Sequence, residues 1–347
     1  MLTESRGTFR PEDVCLLLTD ITGKLTPKPT EERERLIQGG VHYSEMLPLE
    51  YTPSQRYIAE YYRALEDFGI DTAKAVMEVS EKIYHKKREG IVLISLARAG
   101  TPIGVLIKRY LRRKYGIDAP HYTVSIVRGR GIDEAAMSYI LKKHPAGYIQ
   151  FIDGWTGKGA ILDELYTAVI PFIGGQDKRL LLGVLADPAN ITDICGTHDD
   201  IPIASSFLNC TVCGLMSRTV IYPGISANEF HGVAFYDEFR AEDRTYEFIE
   251  RIENCIEGFD IQGFEEVRKI AEQFGISDIN FIKPGIGETT RVLLRRIPDL
   301  VLIAENAEPR YVAHLVQLAV EKHVPVQHYP LLRYKACGII KALTPDL

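Results

Sequence analysis

IVLISLARAGTPIG, residues 91–104, holds the reading of the fold in one stretch. Ile91–Leu96 is apolar apart from Ser95, as in a strand buried on both faces. Arg98, Gly100 and Gly104 follow, and Pro102 stands in the first turn of a helix running to Tyr115. The same unit recurs twice downstream. Tyr122–Val127 reads as a strand, then RGRGID, then a helix opened by Asp133. Tyr148–Ile152 reads as a strand, then DGWTGKGA, then a helix from Lys158 to Ile173, with a further strand at Arg179–Leu185. Strands alternating with helices make a parallel sheet with right-handed crossovers. The fold class is α/β.

Upstream, Ser54 and Asp71 cap helices reaching about Phe68 and Lys87, and residues 1–50 show no sustained period. Downstream, IQGFEEVRKIAEQFG is a helical connector over 261–280. A smaller α/β unit then fills 281–347: a helix from Glu288, the strand Asp299–Ala304, a helix Pro309–Lys322, the strand Val324–Tyr329 and a short final helix. The domains are therefore 1–260, linker 261–280, and 281–347. At 347 residues the chain exceeds one core, since single cores stop growing near ~250–300 residues.

Composition excludes several classes. With 46% hydrophobic and 25% charged residues the chain is neither disordered nor a disulfide scaffold. No apolar run approaches the ~18 residues of a membrane span, and the first residues are no secretory signal. Cytoplasmic placement is expected. Charge is uneven: 281–347 carries nine Lys/Arg and six Asp/Glu, while the whole chain is −6. A basic tail on an acidic body points to an anionic partner for the tail.

In parallel sheets ligands gather at the carboxyl ends of strands. The turn after residue 96 offers Arg98, Gly100, Gly104 and a helix start to an anion. Asp153 ends a buried strand, where an acid needs a partner, and Thr156, Gly157, Lys158 and Gly159 expose N–H groups, a hydroxyl and an ammonium. Arg128 and Arg130 lie in a glycine-rich stretch with the composition of a closing flap. A capped turn or a solvated basic loop is the plainer alternative for each.

Taken together, HYSEM, SLARAGTPIG, HYTVSIVRGRGID, DGWTGKGAI, TVCGLMSRT and FHGVAFY resemble a type I phosphoribosyltransferase-like family of tellurite-resistance and stress operons, also labelled cysteine protease StiP. The match covers roughly residues 30–250. The resemblance implies a transferase binding phosphoribosyl pyrophosphate or a nucleotide with Mg²⁺. Arg98, Ala99 and Gly100 would take pyrophosphate, and Asp153 the ribose. Thr156, Gly157, Lys158 and Gly159 would take the 5′-phosphate, with Arg128 and Arg130 on the catalytic flap. Gly154 stands where such enzymes carry a second acid.

The alternatives are a cysteine peptidase and a non-catalytic, nucleotide-sensing RNA-binding regulator. For a peptidase the candidates are Cys210 or Cys213 with His231; spacing selects none of them. His198 and His231 are further metal-ligand candidates beside the CxxC pair, but one close pair is short of a zinc site, so no metal site is expected there.

In the tail, Gly285, Gly287, Glu288 and Arg291, the IAENAEP turn with Asn306, and Lys335 resemble the RNA-binding domain of Pelota and the L7Ae-type ribosomal proteins. That implies an α/β sandwich and structured RNA as partner; Gly287 stands where kink-turn binders carry Asn. A docking domain is the alternative. No membrane partner is expected, and a homodimer is allowed for.

Overall fold

The computed structural model describes residues 7–341 apart from 89, 176, 223, 227, 261 and 262. Two compact units divide the chain, Met1–Glu253 and Asn254–Leu347.

The first unit opens with β1 (Cys15–Leu16), β2 (Thr19–Asp20), α1 (Thr30–Gln38), α2 (Gln55–Asp67) and α3 (Gly69–Lys87). The Ser54 hydroxyl accepts the Tyr57 N–H and caps α2, as its position predicts. Helix α3 starts at Gly69, two residues before Asp71. The repeating units follow as β3 (Val92–Leu96), α4 (Gly100–Tyr115), β4 (His121–Val124), the hairpin β5 (Ile126–Val127) and β6 (Gly131–Ile132), α5 (Glu134–Leu141), β7 (Ile149–Ile152) and α6 (Ala160–Ile173). Strands β8 (Leu182–Ala186), β9 (Ile194–Thr197) and β10 (Gly232–Val233), then the first residues of α7 (Thr245–Asp260), complete the series.

Six strands form one parallel sheet in the order β1-β4-β3-β7-β8-β9. Alternating residues explain its two buried faces. Ile94, Phe151 and Val184 pack on Met137 and Ile140 of α5 and on Leu162, Leu165 and Val169 of α6. The opposite face meets α3 and α4 so closely that a Cβ on Gly104 would lie 2.2 Å from the Ser95 hydroxyl, and one on Gly196 2.5 Å from Ala75. Residues 7–50 carry more structure than their lack of period suggests: β1 adds to the sheet edge beside β4.

The second unit contains α8 (Gly263–Gln273), β11 (Ile282–Pro284), α9 (Ile286–Arg295), β12 (Pro298–Ala304), α10 (Pro309–Glu321), β13 (Val326–Tyr329) and β14 (Ala336–Ile340). The sheet order is β11-β14-β12-β13. Val267 and Ile270 of α8 pack with Leu302, Cys337 and Ile339 on one face. Leu293 of α9 and Val312 and Leu315 of α10 pack with Val301 and Ile303 on the other. Helix α8 is thus part of this core and not a free connector. The expected final helix is instead β14, antiparallel to both β11 and β12. All five of its residues are buried, so the run ACGII lacks the polar positions of an amphipathic helix. Among the described residues, no helix is long and apolar enough to cross a membrane.

Candidate active site

The sheet order reverses between β3 and β7, and a crevice forms outside the carboxyl ends of strands at such a switch point. A cleft of about 520 Å³ lies there, lined by Arg33, Glu50, Arg98, Ala99, Asp153 and Arg218 among others. Arg98 donates to Glu50 at 2.8 Å and to the Met216 carbonyl at 2.7 Å. Arg33 keeps a buried Nε with no hydrogen-bond partner. The Arg218 guanidinium lies 4.8 Å from the Tyr43 ring centre, and partial burial together with the charges of Arg33 and Arg98 pushes its pKa down. The cleft is cationic, because Glu50 already belongs to Arg98.

Asp153 accepts one hydrogen bond, from its neighbour Gly154 N–H at 2.8 Å, and burial pushes its carboxyl up to about 7. A Mg²⁺ ion in this cleft would find Asp153 as the one uncommitted carboxyl among the lining residues. Gly100 serves packing: a Cβ there would sit 2.5 Å from the Ile152 carbonyl oxygen.

In the loop after Asp153 the Thr156 side chain is turned into the protein, while Asp153, Trp155 and the run Thr156–Leu162 line a cavity of about 230 Å³. Thr156 N–H donates to the Ala186 carbonyl, and its hydroxyl to Asp187 Oδ1 at 2.5 Å. Gly157 and Lys158 are exposed, while Gly159, with φ +92°, precedes α6. Trp155, 41% exposed, edges a second cleft of about 310 Å³ shared with Thr156, Pro188, Ile203 and Phe207.

Beyond that loop the ends of β8 and β9 bring three reactive side chains together. Ala186 pairs in register with Thr197, and Asp187 N–H donates to the Thr197 carbonyl, which places Asp187 beside His198. Fully buried Asp187 accepts from Ile191 and Thr192 N–H through Oδ2 at 2.8 and 2.9 Å. His198 Nδ1 lies 2.9 Å from the Asp187 carbonyl oxygen and so donates to it. That leaves Nε2 as the acceptor, 3.5 Å from Cys195 Sγ. Burial pushes the Cys195 thiol up, as do Asp187, Asp193 and Glu78, against Lys82. The resting group is a thiol beside an unprotonated imidazole nitrogen, the arrangement from which a base activates a nucleophile.

The pairing weighed in the sequence, Cys210 or Cys213 with His231, is not the one this structure makes. Like Cys195, both thiols are buried; they lie near Glu50 and Arg98, and burial pushes each up to about 12. His231 Nδ1 bonds the Ser125 hydroxyl at 2.8 Å, and its backbone N–H donates to Asp133. None of the six cysteines is disulfide-bonded among the described residues. The Arg128–Arg130 hairpin is docked: Gly129 and Gly131 N–H groups donate to Glu164, Arg128 N–H to the Tyr43 hydroxyl, and Arg130 to Glu45.

In the second unit the separate tail signals converge. Gly285, with φ +92°, sits before α9 and donates to the Ala336 carbonyl. Ala304 N–H, at the start of the turn holding Asn306, donates to the Lys335 carbonyl. Lys335 Nζ and Arg310 lie 4.7 and 5.0 Å from the Tyr311 ring centre. Arg291 pairs with Glu288 on the exposed face of α9 at 2.8 Å. A side chain at Gly287 would meet open space.

Residues 7–253 match the family model described as tellurite-like stress resistance cysteine protease StiP. The chain belongs to the StiP family. A relative named cysteine protease StiP, from Acinetobacter baylyi, is 35% identical over 368 residues, covering 97% of this chain and 94% of its own. Residues 261–342 match the Pelota RNA-binding domain. The crystal structure of an archaeal translation termination factor is 16% identical, spanning 52% of this chain and 48% of its own, with a TM-score of 0.18. These findings overturn the phosphoribosyltransferase expectation for this StiP-family chain. Its family and its relative carry a cysteine-protease description.

Proposed function

We propose that this StiP-family chain is a thiol-dependent peptidase in which Cys195 is the nucleophile and His198 the general base. The supporting observation is the Sγ–Nε2 separation of 3.5 Å, with Nδ1 already engaged by the Asp187 carbonyl. Nε2 takes the thiol proton, Sγ attacks the peptide carbonyl carbon, and the same proton passes to the departing amine. Water then hydrolyses the thioester with His198 again as base. The His198 side chain is 53% exposed, so its ring has room to turn toward the sulfur and then toward the leaving group. In the separate cleft at the β3–β7 switch point, Arg33 and Arg218 have no ion-pair partner among the described residues, which favours an anionic ligand there.

The test is Cys195→Ala in the full chain, assayed on casein and by labelling with an epoxysuccinyl electrophile followed by peptide mapping. Cleavage and label should both disappear, while Cys210→Ala and Cys213→Ala retain them. A label that maps to Cys210 or Cys213, or cleavage surviving in Cys195→Ala, removes the reading.

For the second unit we propose RNA binding centred on Gly285–Arg291, with Asn306 and Lys335 beside it. The reading is supported by the Pelota match and by the backbone bonds that gather these segments.

A further inference from the structure

We propose that Asp187, Cys195 and His198 form a binding site for a soft divalent cation, with zinc the best match, and that occupancy switches the thiol–imidazole pair off. The second clause rests on the peptidase reading; the first stands without it. One ligand atom from each residue can be chosen so that all three lie within 4.8 Å of one another, the one such group among the described residues. Zinc bonds of about 2.3 Å to sulfur and about 2.0 Å to nitrogen, at a tetrahedral angle, put S and N about 3.5 Å apart. Cys195 Sγ and His198 Nε2 have that separation.

The surroundings are those of a metal site as well. A ligating histidine characteristically donates its other ring N–H to a carbonyl or carboxylate, and His198 Nδ1 does so to the Asp187 carbonyl at 2.9 Å. Each carboxylate oxygen has two acceptor positions. Asp187 Oδ2 uses both, on Ile191 and Thr192, but Oδ1 uses one, on Thr156. One lone pair therefore remains for an ion. His198 Nδ1 lies 3.7 Å from Asp187 Oδ2, so the half-exposed ring has to turn for Oδ1 to join Sγ and Nε2 on the ion, and water takes the fourth position.

The donor set also decides which ion. Thiolate and imidazole select zinc, cobalt or copper over Mg²⁺ or Ca²⁺. Thiolate plus carboxylate cancels the double positive charge, which favours an ion at a buried acid. On binding, the Cys195 proton leaves to solvent, Asp187 enters as its carboxylate and His198 as neutral imidazole. No electron is transferred. With its lone pairs on the ion, Sγ cannot attack and Nε2 cannot accept a proton.

The experiment is a Co²⁺ titration of the full, reduced chain followed by absorbance, then displacement by Zn²⁺ and casein cleavage on the same samples. One Co²⁺ per chain is expected, with a thiolate-to-cobalt band in the near ultraviolet that zinc abolishes. His198→Ala, which alters a half-exposed side chain, and Cys195→Ala should each weaken binding by roughly a hundredfold or more. Circular dichroism checks that both remain folded. Stoichiometric Zn²⁺ should suppress cleavage reversibly by chelator. Absence of the sulfur band, or unchanged affinity in folded His198→Ala, overturns the site whatever the peptidase result. Metal binding with undiminished cleavage overturns the switch alone. Metal binding in a chain that never cleaves casein upholds the site and instead removes the peptidase reading.

Discussion

Removing the Thr156 hydroxyl tests whether the loop and the thiol cluster are one energetic unit. Its partner Asp187 is fully buried and carries a charge-assisted bond of 2.5 Å from that hydroxyl. Thr156→Val keeps the shape and deletes the bond, which for a charged acceptor is worth about 1.5–3 kcal/mol. Asp187→Ala orphans the Ile191 and Thr192 N–H groups and the hydroxyl itself, at about 1–3 kcal/mol each, so a loss of roughly 3–9 kcal/mol is expected. The double variant no longer contains the orphaned hydroxyl. Its loss should therefore fall short of the summed single losses by about 1.5–3 kcal/mol. Urea unfolding followed through Trp155 is the assay, because the chain's single tryptophan sits in this loop and reports on this unit alone. A cycle that closes within ~0.5 kcal/mol would show the two groups to be independent and refute the reasoning.

Three further outcomes are expected. Because burial raises Asp153 to about 7, the folded chain holds that proton more tightly than the unfolded one. Stability should then decline as pH rises from about 4 to about 7, and Asp153→Asn should flatten the decline, with a ceiling of roughly 4 kcal/mol at about 1.4 kcal/mol per pH unit; parallel profiles from pH 4 to 8 would count against it. Gly100→Ala forces a Cβ against the backbone of Ile152 and Asp153, neither of which can swing aside, and should cost about 1–3 kcal/mol, read as a lower melting temperature. Arg291→Ala and Lys335→Ala should each weaken RNA binding and reduce the salt slope by roughly one, while Gly287→Asn should leave the fold intact; gel shifts across a salt series that ignore both basic residues would leave the tail a docking domain.

The central strands were legible because burial on both faces leaves runs apolar but for one position, Ser95 in β3 and Gln150 in β7, and Arg98, Ala99 and Asp153 line the main cleft. Strand β14 was misread since a short buried run carries no period to separate helix from strand. Strand β9 escaped because ICGT is four residues long and only half apolar. The pairing of Cys195 with His198 was hidden for a different reason. Residues three apart on a strand point to opposite faces, so the sequence argues against contact. The contact arises because His198 lies one residue past the end of β9, where the Asp187 carbonyl turns its ring back over Cys195. That return depends on a bond to another strand's end, which local spacing does not encode.

Tyr43 holds two things at once: its hydroxyl accepts the Arg128 N–H of the glycine-rich hairpin, and its ring faces the Arg218 guanidinium at the cleft wall. The cleft wall and the hairpin therefore share one support, while Glu164 and Glu45 hold the hairpin from its other sides. One aromatic side chain that undergoes no chemistry is common property of a binding surface and a loop, so its loss would be felt at both.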